Sequence, residues 1–275
     1  MDLSGKTFLV TGSTDGLGRE VATRLAAKGA KVLVHGRDRA RGEEVLKAIG
    51  GAKAGHAFYQ ADLSSLAEVR RLAAEVLRDH DRLHVLVNNA GIGVSTPAGG
   101  RLTSADGFEL RFAVNYLSHF LLTYLLLPTI KQSAPARIVN VSSIGQQPIE
   151  FDDVMLENAY DSARAYRQSK LAQIMFTIDL ASELAGSGVT ANSLHPATFM
   201  NTGMVLRGGG KPQTTVEEGA IATMNVIVSD ALEGRGGLFF NSLQEQRAND
   251  QAYDAEARKK LRALSLKLTG LNPSS

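Results

Sequence analysis

Thr11-Gly12-Ser13-Thr14-Asp15-Gly16-Leu17-Gly18 decides the reading of this chain. The stretch follows an apolar run, Phe8-Leu9-Val10, and opens a helical pattern from Arg19 to Ala27. A glycine-rich turn between a first strand and a first helix presents backbone N–H groups and a helix N-terminus to an anion such as a pyrophosphate. Glycine reaches positive φ and leaves no side chain in the way of the phosphate.

Strand and helix signals alternate outward from this turn. Lys6–Thr11 reads as a strand, Leu17–Lys28 as a helix closed by Gly29, Lys31–His35 as a strand and Arg39–Ile49 as a helix. Gly55–Gln60 is a third strand, and Ser64–Asp79 a helix with Ser64 as its cap. Leu83–Asn88, Arg137–Val141, Val189–His195 and Gly236–Phe240 complete the strands. Helices are expected within Thr103–Ile130, over Ala159–Ala185 and over Val216–Ser229. The strands are rich in Val, Leu and Ile with little alternation, as in a parallel sheet covered on both faces. Repeated βα units imply right-handed crossovers. The expected fold is α/β: a single Rossmann-type doubly wound, mainly seven-stranded parallel sheet, with residues 1–275 forming one domain. Gly99-Gly100 and Gly208-Gly209-Gly210 read as loops within it.

With 275 residues, 44% of them hydrophobic, the chain can build a large core. Thirty basic and 28 acidic residues leave a formal charge of +2, so no strong field favours nucleic acid. The absence of cysteine excludes disulfides and thiolate metal sites and fits a reducing, cytoplasmic setting. Six histidines (35, 56, 80, 84, 119, 195) show no metal-ligand spacing and are expected to pack or face solvent. Met1 to Lys6 contains no apolar signal region. The apolar stretch from Phe120 to Ile130 is shorter than the roughly 20 residues that span a bilayer, so no membrane anchor is expected. Gly5-Lys6-Thr7 lacks the upstream glycine of a triphosphate loop.

Tyr166 and Lys170 lie one helical turn apart on a shared face. A phenol titrates near 10, too high for a base at neutrality, and a nearby ammonium stabilises the phenolate. Lowering it by about three units takes roughly 4 kcal/mol. A surface Tyr and Lys that happen to be four apart is the plain alternative. Tyr160 competes for the role, but its neighbour four residues on is Arg164, which cannot pass a proton onward. Ser143 ends a strand whose carboxyl edge borders the ligand crevice, where a hydroxyl can orient a carbonyl; strand-end capping is the alternative. Asn115, a polar amide among apolar neighbours, needs a partner if buried.

Together, the glycine turn, Asn88-Asn89-Ala90-Gly91 after the fourth strand, Asn115, Ser143 and Tyr166/Lys170 resemble the short-chain dehydrogenase/reductase family over nearly the whole chain. Asn115 to Thr123 (NYLSHFLLT), Ala165 to Ala172 (AYRQSKLA) and Leu264 to Leu271 (LSLKLTGL) resemble its retinol-dehydrogenase-like branch, which includes the oxidoreductase part of WW-domain-containing relatives. The resemblance implies an oxidoreductase that interconverts a carbonyl and an alcohol. Tyr166 would be the general acid/base. Lys170 would hold the nicotinamide ribose and lower the tyrosine pKa, Ser143 would hold the reacting oxygen, and Asn115 would maintain a proton relay. Gly12, Ser13, Thr14, Asp15, Gly16, Leu17 and Gly18 would bind the cofactor with Asn89, Ala90 and Gly91. Asp62 and Leu63 would receive the adenine, and Pro196, Phe199 and Thr202 the carboxamide end.

Two departures from the family pattern bear on the cofactor. Pro196 is followed by Ala197 instead of the family's glycine, so the loop at the nicotinamide is expected to differ. Where NAD-preferring relatives carry an acid, this chain has Gly36 followed by Arg37, which favours NADP(H) over NAD(H); Asp38 would weaken that preference if it points inward. The interval from Ser143 to Tyr166 carries an insertion, at about 145–160, which either covers the site or is a passive loop. Residues 197–215 form the expected substrate loop. Leu156, Phe151, Met200, Met204, Val205 and Leu206 suggest a small apolar substrate, with core packing as the alternative. The Phe120–Ile130 and Leu171–Leu184 helices are expected to form a two-fold interface of a homodimer or homotetramer. Two other readings compete. A non-catalytic nucleotide sensor or scaffold often lacks the Tyr or Lys present here, and an extended sugar-nucleotide epimerase or dehydratase spaces its glycines Thr-Gly-x-x-Gly-x-x-Gly, unlike Thr11–Gly18.

Overall fold

The structure, a computed structural model, describes residues 2–95 and 100–272. Met1 and Gly99, named above, lie outside the described residues. Among the described residues, eight strands form one sheet: β1 (Thr7–Val10), β2 (Lys31–Gly36), β3 (Ala57–Gln60), β4 (Val85–Asn88), β5 (Ala136–Val141), β6 (Val189–His195), β7 (Phe239–Asn241) and β8 (Gln244–Glu245). Their order is β3-β2-β1-β4-β5-β6-β7-β8. The first seven strands pair in parallel, and β8 adds an antiparallel edge. A two-residue strand is too short to leave a periodic signal, which is why the sequence shows seven.

Each strand feeds both faces. Leu9, Leu33, Leu86 and Ile138 enter one core with α3 (Leu66–Asp79), the long α4 (Leu110–Gln132) and α5 (Ser162–Glu183). Phe8, Val10, Val32, Val34, Val85, Val87, Val139 and Val141 enter the other, with α1 (Gly16–Ala27) and α7 (Val216–Val228). α2 (Arg39–Ala48) flanks β2 and β3. Side chains therefore alternate between faces even though the strands read as continuously apolar, because both faces are dry.

Several boundaries differ from the sequence reading. Ser65, not Ser64, caps α3, accepting from the Glu68 N–H at 3.4 Å. α5 starts at Ser162 because Asp161 caps it, accepting from the Arg164 N–H at 2.6 Å. The apolar stretch around Phe120 belongs to a 23-residue helix, long and apolar enough to cross a membrane. Phe112, Tyr116, Leu117, Phe120, Leu121, Leu126 and Ile130 on it are buried, which is the environment of a core helix. A π turn over Ala113–Leu117 interrupts it.

Two helices lie outside the elements expected from the sequence: the short α6 (Gly203–Arg207) after β6, and α8 (Ala255–Thr269), which follows β8 in the chain. Asp254 caps it and Gly270, at φ 63°, ends it. Tyr116 Oη meets Ser265 Oγ at 2.7 Å, while Arg258 pairs with Asp179 at 2.6 Å and Arg262 with Glu183 at 2.8 Å. α8 thus lies over α4 and α5, the pair expected to meet a second copy. Leu171, Ile174, Met175, Phe176 and Leu180 are already buried within one chain.

The sheet order reverses beside β1, so the crevice lies above the carboxyl ends of β1 and β4. The glycine turn, Asn89 to Gly91, Ser143 and Pro196 all follow strands at that edge.

Candidate active site

The glycine turn is held by close packing. Gly12 adopts φ 63°, and a Cβ there would lie 2.8 Å from the Ala90 Cα. A Cβ on Gly18 would lie 2.3 Å from the Gly12 carbonyl oxygen and 2.4 Å from Asn89 Nδ2. Asn89 Nδ2 donates to the Thr11 carbonyl at 2.7 Å, and Thr11 Oγ1 accepts the N–H groups of Asn89 and Ala90, each at 2.9 Å. The turns after β1 and β4 therefore form one unit. Ser13 is buried; its N–H donates to the His35 carbonyl and its hydroxyl to the Val10 carbonyl. Gly12 N–H donates to His35 Nδ1 at 3.0 Å. Gly12 and Ser13 thus shape the turn, leaving the first-turn N–H groups of α1, at Leu17 and Gly18, without intrahelical acceptors. Asp15 accepts from the Gly16 N–H at 2.8 Å. The cradle that a Cβ would fill, opening on a helix N-terminus, fits the pyrophosphate of a dinucleotide.

The four expected catalytic residues converge on this edge. Ser143 Oγ accepts from the Gly145 N–H at 3.0 Å and stands beside the Tyr166 phenol. Burial raises the phenol pKa, and the Ser143 hydroxyl opposes that rise. Lys170 is buried, and burial lowers its pKa to about 7. Its Nζ donates to the Val141 carbonyl and to Gln173 Oε1, both at 2.9 Å, and lies 5.9 Å from the centroid of the Tyr166 ring. The expected lowering of the tyrosine pKa by Lys170 is not found in this arrangement; burial prevails. Asn115 sits in the π turn with its amide fully engaged. Oδ1 accepts from the Ile92 N–H at 2.8 Å, and Nδ2 donates to the Ile92 carbonyl at 3.1 Å and to Ser169 Oγ at 3.0 Å. Its side chain anchors the loop after β4 to α5.

At the far end of the crevice Arg37 is exposed, with Nη1 3.8 Å from Asp62 Oδ2. Asp38 does not point inward: it caps α2, accepting from the Arg41 N–H at 3.1 Å, and its other oxygen lies 3.8 Å from Arg41 Nε. Asp62 accepts from the Ser64 N–H at 2.9 Å, while the Leu63 side chain lies in the core. In the loop after β6, Ala197 is not among the residues with positive φ; Phe199 takes that conformation, at φ 44°. The positive φ of this loop thus falls two residues beyond Ala197. Thr202 caps α6, and its Cγ2 would lie 3.1 Å from a Cβ on Gly16, so this loop closes against the glycine turn.

A family model described as short chain dehydrogenase matches residues 6–207. The chain belongs to that family. It is 36% identical to human retinol dehydrogenase 13 over 292 residues, covering 99% of this chain and 87% of the relative, which places it in the retinol-dehydrogenase-like branch. An uncharacterized protein from Mycobacterium paratuberculosis superposes with a TM-score of 0.81 at 31% identity, covering 98% of this chain and 96% of that one. The RhlG/NADP active-site complex of Pseudomonas aeruginosa superposes with a TM-score of 0.70 at 28% identity, over 87% of this chain and 95% of that one. As a short chain dehydrogenase, the protein is an oxidoreductase.

In this short chain dehydrogenase the segment 145–160 is tied to Ser143 and to the chain around Asn249 and Gln251. Ile149 is buried and exchanges two hydrogen bonds with the Gln251 side chain, at 2.7 and 3.1 Å. Gln146 donates to the Ser143 carbonyl at 2.9 Å and accepts from the Asn249 N–H at 2.7 Å. Tyr160 joins a buried cluster instead of the catalytic group. Its hydroxyl bonds Arg111 and Glu109, and Arg111 Nε donates to the Gly93 carbonyl at 2.9 Å. Leu156 is buried and Phe151 packs beneath Lys260, so neither lines the mouth as expected. Met204 and Leu206 are exposed there, with Phe199, Val94 and Ile144. Met200 packs against Gly219 on α7. Among the described residues no cluster of three His, Cys, Asp or Glu has metal-binding geometry.

Sequence reasoning missed Arg41, Gln173, His119 and Arg111. Arg41 lies one turn into α2 beside Arg37, and its position is readable in hindsight from Asp38 as a cap. The other three become visible only when α4, α5 and the turn after β4 are brought together.

Proposed function

We propose that this protein reduces a small apolar aldehyde or ketone to its alcohol with NADPH, Tyr166 acting as general acid. The carrying observation is the juxtaposition of Ser143, Tyr166 and buried Lys170 at the carboxyl edge of β5, with Lys170 Nζ 5.9 Å from the Tyr166 ring and bonded to the Val141 carbonyl. When bound, the reduced nicotinamide supplies hydride to the carbonyl carbon. The buried phenol stays protonated at neutral pH, so Tyr166 can donate its proton to the developing alkoxide. The Ser143 hydroxyl orients that oxygen and stabilises its charge. Lys170 stands beside the ring, with Nζ 5.9 Å from its centroid, and burial lowers its pKa to about 7.

Dinucleotide binding falls to Gly12 through Gly18, with Asn89, Ala90 and Gly91 shaping the cradle and Thr202 closing it. Arg37 and Arg41 favour the 2′-phosphate of NADP(H), with NAD(H) as the weaker alternative, and the NADP complex of RhlG supports a cofactor of this class. Exposed Phe199, Met204, Val94 and Ile144 support an apolar substrate. Likeness to retinol dehydrogenase 13 supports an alcohol or aldehyde group as the reacting centre. We place the activity in the cytoplasm, in keeping with a chain free of cysteine.

NADPH oxidation measured over a panel of aliphatic and aromatic aldehydes and ketones tests this reading. Turnover of several apolar members, with NADH slower, is expected. No turnover of any member with either cofactor would overturn it.

A further inference from the structure

The buried side chains behind Lys170 do not end at Gln173. Gln173 Nε2 lies 3.1 Å from His119 Nδ1, which also lies 3.1 Å from the Asn115 carbonyl oxygen. His119 Nε2 lies 3.4 Å from Thr11 Oγ1. Gln173, His119 and Thr11 are all buried, and no part of the proposed proton transfer uses them.

The donors and acceptors in this row can be satisfied in two ways, and the choice depends on Lys170. A charged ammonium has only donors, so the Gln173 oxygen must face Nζ and its NH2 must face His119. Nδ1 is then an acceptor with its lone pair towards the Asn115 carbonyl, and Nε2 carries the proton. Thr11 Oγ1 already accepts two backbone N–H groups, so its own hydrogen is left for the Val87 carbonyl at 3.3 Å. A neutral Lys170 amine can instead accept from the Gln173 NH2. The amide then turns its oxygen to His119, Nδ1–H points to both that oxygen and the Asn115 carbonyl, and Nε2 accepts the Thr11 hydroxyl. Every group is paired in the second arrangement.

We propose that Gln173 and His119 are positioning residues for Lys170, whose amide orientation and imidazole tautomer switch together with its charge and so set the pH range of the Tyr166–Lys170 pair. Through Thr11 the same row reaches the hydroxyl that pins the glycine turn. The groups facing Lys170 are Tyr166 and Gln173 on its own helix, His119 from α4, His195 from the end of β6, and the Val141 carbonyl from β5; His35 on β2 faces His119 from beyond Thr11. Both His119 and His195 are held neutral by burial, so Lys170 is the group that changes charge near neutrality.

This inference rests on the proposed catalytic pair, and its test has a readout that needs no substrate. In the full chain labelled with 15N-histidine, the two ring nitrogens of His119, assigned by their loss in His119→Asn, are followed from roughly pH 6 to 9. They are expected to exchange protonated and unprotonated shifts, and Lys170→Met should abolish the exchange. A single tautomer throughout would overturn the proposal. On activity, Gln173→Glu should raise the midpoint of the pH–kcat profile and Gln173→Met lower it, each by about half a unit or more. Midpoints that stay put, or move the same way, overturn it while leaving the reductase reading intact. A wild type without carbonyl reduction would sink that reading alone, with the tautomer measurement still deciding the pair.

Discussion

Arg41 reaches from α2 to within 3.7 Å of the Asp15 carboxylate, so a basic side chain of the second helix leans over the glycine turn of the first. Together with Arg37 it makes the adenine-ribose end of the crevice cationic, with Asp38 turned away into its cap. Arg37→Ala and Arg41→Ala are each expected to raise KM for NADPH roughly tenfold, the loss of about 1.4 kcal/mol of a charge-assisted contact. KM for NADH should move far less. Equal changes for the two cofactors, measured in steady-state assays, would remove both residues from phosphate recognition.

Tyr166→Phe keeps the ring and removes the hydroxyl that stands beside Ser143. Turnover is expected to fall by about a hundredfold or more, the usual scale of a general acid. NADPH affinity, read by fluorescence titration, should stay close to wild type. Ser143→Ala should lower kcat in the same direction.

Gly18→Ala places a methyl 2.3 Å from the Gly12 carbonyl oxygen and 2.4 Å from the Asn89 amide. Both neighbours belong to the hydrogen-bonded unit of the two turns, so neither can yield alone. A stability loss of about 1–3 kcal/mol is expected in urea unfolding, with weaker cofactor binding.

Arg111→Met leaves the buried Glu109 carboxylate without its cation and frees the carbonyls of Gly93 and Val94. Removing one partner of a buried pair costs about 3 kcal/mol or more. Urea unfolding should show that loss. A loss below about 1 kcal/mol would mean that the insertion stands without this cluster.

Buried titratable groups set the pH dependence of stability. Burial holds His35 and His195 down to about 4 and His119 to about 3, below the ordinary 6.5. The unfolded chain therefore binds more protons than the folded one below pH 6.5, and stability should fall as pH drops from there towards 4. Lys170 is depressed from 10.5 to about 7, so its contribution rises with pH between those values, and Lys170→Met should flatten that rise. Denaturant midpoints taken across pH 4 to 10 check both slopes.

The chemistry-bearing residues were legible because each stands at a strand end or one helical turn from its partner. Gly12 and Gly18, Asn89, Ser143, Tyr166 and Lys170 needed only the alternation of elements to be placed at one edge. Roles were harder to read than places. Ser13, expected at the cofactor, also ties the turn to β2, which only the paired strands reveal. Lys170 was expected to lower the tyrosine pKa and is itself the group most shifted towards neutrality, because burial acts on both. The helix α8, which also packs on α4 and α5 through Tyr116–Ser265 and Arg258–Asp179, left no signal that tied it to them.

Local patterning by itself determined the parallel sheet, its helices and the position of the crevice, since periodicity, caps and glycine turns act over a few residues. Only the tertiary structure decided what surrounds each polar group. The Gln173–His119–Thr11 row, the Arg41–Asp15 contact and the Arg111–Glu109–Tyr160 cluster join residues from different elements. Their charges and hydrogen bonds depend on burial and neighbours that no run of sequence contains.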